Sequence, residues 1–214
     1  NYKSVKIAKE AAKDKDVSVA GSVSTYGYFY KDGTEKMKPY FNEHLKILSD
    51  AGVDLIILEA MSSQADIVET LIECSSKIKL PIWLSISCVF NEDKEINLGY
   101  DDDVSKNKPQ IYENLKDSLK RFKKLHSGPM LVAHSNMSVT EDAVKIFKNN
   151  LDNTIGAYPN RGYFVKPEWK FTDKIKPEDY LKSAKSWINS GAQIIGGCCG
   201  IGVDEIKAIS ILKN

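Results

Sequence analysis

Arginine is nearly missing from this chain: of 30 basic residues only Arg121 and Arg161 carry a guanidinium. That is a poor supply for bidentate reading of phosphates or base edges. Charge of one sign is not in excess either. Thirty basic residues face 29 acidic ones, which leaves +1, so no bulk field draws the chain toward nucleic acid or a membrane. No apolar run approaches the roughly 18 residues that a membrane span needs. The first twenty residues carry Lys3, Lys6, Lys9, Glu10 and Lys13, which is not the pattern of a signal peptide. The expected partners are therefore small molecules, with no nucleic acid and no membrane, and the expected setting is cytoplasmic.

Cysteine is also sparse, and its placement is informative. Cys74, Cys88 and the adjacent pair Cys198–Cys199 do not make a secreted disulfide framework, because neighbouring cysteines bridge each other only through a strained ring. In a cytoplasmic protein such a pair serves metal or redox chemistry.

What is present is an ordinary globular composition, 42% apolar and 28% charged over 214 residues, enough for one domain with a sizeable core. Short β-rich runs at Val17–Val23, Asp54–Ala60, Pro81–Cys88, Met130–His134, Thr154–Tyr158 and Gln193–Gly197 alternate with helical patterns. Phe41, Leu45 and Leu48 recur at helical spacing before Gly52. Ile67, Leu71, Cys74 and Ile78 form a second apolar stripe, and Ile111, Leu115, Leu119 and Phe122 a third. Pro177, Glu178 and Asp179 open a helix as its missing donor and macrodipole prefer. Such alternation predicts one α/β domain over residues 1–214 with a parallel sheet covered by helices. Six units of about 36 residues fall short of the roughly 250 residues of an eight-unit barrel, and a doubly wound sheet fits the same count.

The sharpest local feature is Gly196-Gly197-Cys198-Cys199-Gly200-Ile201-Gly202 after the last strand. In parallel α/β folds the strand-to-helix junction is where sites form. Adjacent residues on a strand point to opposite faces, so the two thiols can share one ion only if the backbone turns, and the flanking glycines permit that. Zinc would hold both as thiolates; a phosphate loop with incidental cysteines, or two buried small residues, are the plain alternatives. Glu59 ends the apolar strand Leu55-Ile56-Ile57-Leu58. A carboxylate there is costly to bury unpaired, so it either takes a cationic ligand group or caps the next helix. Asn136 follows Leu131–Ser135 at the same rim, as a ligand contact or as an Asx turn. Cys74 is expected in the core, Cys88 buried at a strand end, and His44 and His126 at the surface. The Asp101-Asp102-Asp103 run lacks EF-hand spacing and reads as a solvated loop.

These junctions together resemble the homocysteine S-methyltransferase family. The matching segments are Gly21-Ser22-Val23 with Tyr26-Gly27, Asp54–Glu59, Leu98-Gly99, Leu131–Asn136, Tyr158-Pro159-Asn160-Arg161-Gly162 and Gly196-Gly197-Cys198-Cys199-Gly200. They run in the family's order across nearly the whole chain. The resemblance implies a zinc-containing (β/α)8 TIM barrel that moves a methyl group from a small donor (S-methylmethionine, S-adenosylmethionine or betaine type) to the thiol of homocysteine, giving methionine. It implies zinc on Cys198 and Cys199, which makes these the catalytic pair, with Glu59 holding the substrate's amino group. Asn136 and Ser22 join Glu59 as expected substrate contacts.

Two departures follow from the same match. The family's third zinc thiolate comes directly after the Asn, where this chain has Met137, a poor ligand for Zn²⁺. Neither Cys88 nor His134 is expected to replace it, since His134 has the opposite parity to Ser135 on a simple strand. The family's first two β/α units are also absent, so the first and last strands are expected as open edges, covered by a companion N-terminal segment or by a second copy in a homo-oligomer. These departures keep two rivals in view: a non-catalytic relative that binds an amino acid or thiol, and a redox protein using the cysteine pair as a dithiol.

Overall fold

The computed structural model describes residues 1–25, 33–101, 109–165, 168–170 and 175–213. Helix α1 (Tyr2–Ala12) precedes β1 (Ala20–Ser24), α2 (Thr34–Asp50), β2 (Leu55–Met61), α3 (Ala65–Ser75) and β3 (Ile82–Ile86). Three short strands follow, β4 (Cys88–Phe90), β5 (Ile96–Tyr100) and β6 (Gln110–Asn114), and then α4 (Leu115–Phe122), β7 (Met130–Asn136), α5 (Met137–Asn150) and β8 (Ile155–Asn160). The chain continues through β9 (Tyr163–Val165), β10 (Glu168–Lys170), α6 (Pro177–Asn189), β11 (Ile194–Ile195) and α7 (Val203–Ile209). Tyr26 and Gly27, and Asp102 and Asp103, lie outside the described residues. Among the described residues no helix is long and apolar enough to cross a membrane.

Six strands form one parallel sheet in the order β1-β2-β3-β7-β8-β11. All six lie where the sequence places strands, with ends moved by a few residues. Each strand sits beside the next parallel strand of the chain, and the order never reverses. A doubly wound sheet needs a reversal at its switch point, so that alternative is set aside. The sheet is an open one: β1 and β11 are its two edges, and no closed barrel is formed among the described residues.

One face of the sheet packs on the helices. Val23, Ile56, Leu58, Leu84, Ile86, Met130, Val132, Ile155 and Ala157 are all buried there, joined by Leu45 and Leu48 of α2, Leu71 and Cys74 of α3, Phe147 of α5 and Trp187 of α6. Cys74 is thus a core residue, as expected. Tyr180 and Trp187 of α6 meet edge to face at 5.5 Å, a favoured aromatic geometry. Pro177 opens α6 with Glu178 and Asp179 in its first turn.

Two readings of the sequence are corrected, and one sheet is added to them. Ile111 belongs to β6 and is exposed, so the third helical stripe starts only at Leu115; a β-branched residue four before Leu115 satisfies the helical period by coincidence. Strands β4, β5 and β6 form an antiparallel sheet of their own, which the βα alternation gave no reason to expect. His126 is buried, at 8% exposure, with its Nε2 3.2 Å from the Pro129 carbonyl oxygen. Burial lowers its pKa below the ordinary imidazole value.

Two strands of the parallel sheet are interrupted near their C-terminal ends. Leu58 and Met61 of β2 face Leu84 and Ile86 of β3, and Ala133 and Asn136 of β7 face Tyr158 and Asn160 of β8. Each strand therefore carries one residue more than its partner, a bulge. A left-handed residue sits at each: Ala60 at φ 51° and His134 at φ 45°. These bulges re-aim the rim of the sheet.

Candidate functional site

The face of the sheet away from the helices carries polar groups toward its C-terminal rim. Glu59 is half-buried on β2, in register with Ser24 of β1. Its Oε1 accepts hydrogen bonds from Ser85 Oγ at 2.9 Å and from the Tyr158 hydroxyl at 2.9 Å. Ser85 Oγ in turn accepts from the Ala60 backbone N–H at 2.8 Å. Three strands thus fix one carboxylate. Burial, the Glu59 charge and the hydrogen bond to Glu59 hold the Tyr158 hydroxyl protonated, well above the usual phenol range. Glu59 does not cap the next helix, because the residue at that position is Gln64; the helix-cap reading is set aside.

After β11 the chain keeps pairing with β8 and then turns. Gly196 N–H donates to the Ala157 carbonyl at 3.0 Å, Cys198 N–H to Pro159 at 2.9 Å, and Arg161 N–H to the Cys199 carbonyl at 2.7 Å. Gly200 takes a left-handed conformation at φ 76°, and the Gly202 N–H is held by Glu205 Oε2 at 2.8 Å. Tyr180 donates its hydroxyl proton to the Gly196 carbonyl. The turn brings two neighbouring thiols to one side, with Sγ atoms 3.9 Å apart and no disulfide between them. The hydrogen bond to Cys199 and burial push the Cys198 thiol up, and a hydrogen bond with His134 opposes them.

His134 is the residue that the sequence reading dismissed. Its ring nitrogen and the sulfurs of Cys198 and Cys199 all lie within 4.8 Å of one another. Strict alternation along β7 predicts otherwise, but the bulge at His134 breaks that alternation. Nothing in the residue pattern Ala133-His134-Ser135-Asn136 announces a bulge; a non-glycine residue at positive φ becomes visible only with the fold. Cys88 is not a ligand candidate. Its thiol is buried, at 1% exposure, and desolvation holds it protonated far above the usual thiol range.

The remaining expected residues are placed as follows. Asn136 is exposed at the end of β7 and caps α5, its Oδ1 accepting from the Ser138 N–H at 3.0 Å. The Asx-turn reading is therefore realised, and it leaves the amide at the rim. Ser22 is exposed on β1 beside Ile57, two residues below the level of Glu59. Met137 starts α5 and packs against the hydrophobic core, where it lines a cavity with Glu141 and Trp187.

This donor set fits a metal ion. Two sulfurs bound at about 2.3 Å to one tetrahedral ion stand about 3.8 Å apart, and the two thiols stand 3.9 Å apart. An imidazole within the same small sphere adds a third donor of the type used by borderline-soft divalent metals.

Comparison with known proteins gives a consistent picture. The chain is 29% identical over 220 residues to homocysteine S-methyltransferase 1 of Zea mays, a match covering 92% of this chain and 62% of that protein. It is 26% identical over 214 residues to a selenocysteine methyltransferase of Astragalus bisulcatus, covering 92% of this chain and 59% of that protein. The chain thus spans about three fifths of the length of these relatives. In fold it resembles the homocysteine methyltransferase MmuM of Escherichia coli: the apo form aligns with a TM-score of 0.69 at 22% identity, over 98% of this chain and 72% of that one. The metallated form aligns with a TM-score of 0.62 at 20% identity, over 99% and 66%. A family model for homocysteine S-methyltransferase matches residues 1–212, and the chain belongs to that family.

Proposed function

We propose that this chain transfers a methyl group from a small sulfonium or betaine-type donor to the thiol of homocysteine, giving methionine. One observation carries the reading: the Cys198 and Cys199 sulfurs stand 3.9 Å apart, the separation of two thiolates on one tetrahedral ion, at the C-terminal rim of a parallel sheet, where such folds place their sites. The six β/α units then form an arc of a (β/α)8 barrel in one domain, since their order runs sequentially as a barrel requires.

Zinc is the metal that this donor set suits, with Cys198 and Cys199 as its thiolates. When bound, it supplies a Lewis acid that holds the substrate sulfur as a thiolate, a form scarce at neutral pH for a free thiol of pKa near ~8.5. Glu59 receives the substrate's ammonium group, because its carboxylate is held on one oxygen by Ser85 and Tyr158 and faces the same side of the sheet. Asn136 stands at the rim as a further contact for the amino acid. Fixing the amine on β2 and the sulfur at the end of β11 aligns the nucleophile for in-line attack on the donor's methyl carbon. Methyl transfer breaks only the donor's bond to that carbon, and the product leaves as a neutral thioether. Positioning supplies much of the rate of such a displacement.

The test is methionine formation from homocysteine, with S-methylmethionine, S-adenosylmethionine and betaine as separate donors, with and without added zinc. Selenocysteine serves as a second acceptor, since one relative is named for it. Turnover with at least one donor is expected, falling to background on chelation and in Cys198→Ser. A zinc-loaded chain that binds homocysteine but turns over no donor would instead establish the non-catalytic binder. A reversible dithiol titre with indifference to chelators would establish the redox reading.

A further inference from the structure

We infer that His134 is the third protein ligand of the metal in this chain, taking the place of the thiolate that the family pattern puts at position 137. The inference rests on the metal site proposed above and departs from the family's three-cysteine arrangement. Its first support is proximity: the His134 ring and both sulfurs share a sphere in which no pair of ligand atoms is more than 4.8 Å apart.

The second support is where Met137 lies. It is the first residue of α5, its helix start is fixed by the Asn136 cap, and its half-buried side chain packs against the core and lines a cavity between α5 and α6 with Trp187. The position that carries the thiolate in the family has been given over to packing.

The third is how His134 is held. A non-glycine residue at φ 45° is strained and persists only where the surroundings over-determine it. Here they do. Ser87 Oγ donates to the His134 carbonyl at 2.6 Å. Ser135 Oγ accepts from the Cys88 N–H at 2.8 Å and donates to the Ala133 carbonyl at 2.8 Å. The junction between β3 and β4 therefore clamps the bulge on both sides of His134, and the clamp aims the ring at the cysteine pair. The consequence is electrostatic. A divalent ion with two thiolates and a neutral imidazole has no net charge, whereas three thiolates leave it at −1, so an incoming anionic thiolate meets a neutral centre.

The experiment reads metal affinity and sulfur count rather than turnover. Zn²⁺ affinity is measured by competition with a chromophoric chelator, and sulfur-to-cobalt charge-transfer absorption is recorded on the Co²⁺-saturated chain. His134→Gly is the chosen variant because glycine takes the left-handed backbone without strain, and circular dichroism with a thermal midpoint verifies its folding. Zinc affinity should fall by at least the roughly 10–100-fold that losing an outer-sphere partner costs. Charge-transfer intensity per bound cobalt should stay unchanged in this variant, since no sulfur is lost, and fall by about half in Cys199→Ser. Met137→Ala should leave both readings where they are. Unchanged affinity in His134→Gly, alongside loss in Cys198→Ser, overturns the His134 assignment and spares the metal site. Unchanged affinity in Cys198→Ser as well overturns both. A loss in Met137→Ala as large as that in His134→Gly also overturns the assignment.

Discussion

Glu59 illustrates how much a single side chain depends on its neighbours. The sequence places a carboxylate at the end of an apolar strand and leaves open whether it binds a ligand or caps a helix. Gln64 at the N-cap of α3 decides against the cap, and hydrogen bonds from Ser85 and Tyr158 hold one carboxylate oxygen at the rim instead. In Glu59→Gln the amide keeps the size and can still accept both bonds, but it loses the charge that, in the proposed role, pairs with an ammonium group. A hydrogen bond to a charged partner contributes about 1.5–3 kcal/mol, so the KM for homocysteine should rise roughly ten- to a hundredfold. The kcat and the zinc content should stay close to wild type. An unchanged KM would remove Glu59 from the substrate site. Asn136 and Cys198–Cys199 were also legible as rim residues, because the first ends a strand and the pair follows one. His134 was not, because its orientation depends on a backbone angle that residue identity does not announce.

At the scale of elements, the turn after β11 carries the site. A Cβ added at Gly197 would lie 2.3 Å from Ile201 Cγ2 and 2.6 Å from Ile201 Cβ. Since Cβ cannot swing away from its own backbone, the loop itself would have to open. Gly197→Ala should therefore cost about 1–3 kcal/mol, as overpacking usually does, read as a lower urea midpoint, and it should weaken zinc binding at the same time. Wild-type stability and metal affinity in that variant would show that the turn does not need its glycine. The strands and most helices were legible because apolar periodicity survives in any context that buries one face. Antiparallel β4-β5-β6 was not, since its strands are short and it interrupts an otherwise regular alternation. Ile111 shows the same limit, its helical spacing to Leu115 being accidental.

For the whole molecule, buried histidine links stability to pH. Burial lowers the pKa of His126, the largest effect on it, and the hydrogen bond with Pro129 opposes it. The unfolded chain then binds more protons than the folded one as pH drops below the ordinary imidazole value of about 6.5. The stabilisation from the neutral ring is full above that value and is lost as pH falls through it toward the lowered folded pKa. Half-buried His44 is shifted the same way by burial. Wild type should therefore lose more stability between pH 7.5 and pH 5.5 than His126→Gln, measured as thermal midpoints in one buffer series. Equal losses would show that His126 does not contribute to the slope.

The sequence by itself determined the alternation of strand and helix, a parallel sheet and the glycine-framed cysteine pair, because burial periodicity and backbone permissiveness are local properties of residues, whereas the sequential order of the strands came from the tertiary structure. Only the tertiary structure decided that the His134 ring comes to those thiols. That placement depends on a one-residue slip between β7 and β8, and on hydrogen bonds from Ser87 and Ser135 that hold His134 in a left-handed conformation. A slip of one residue reverses which side of a strand a side chain faces, and it is set by neighbours far away in sequence.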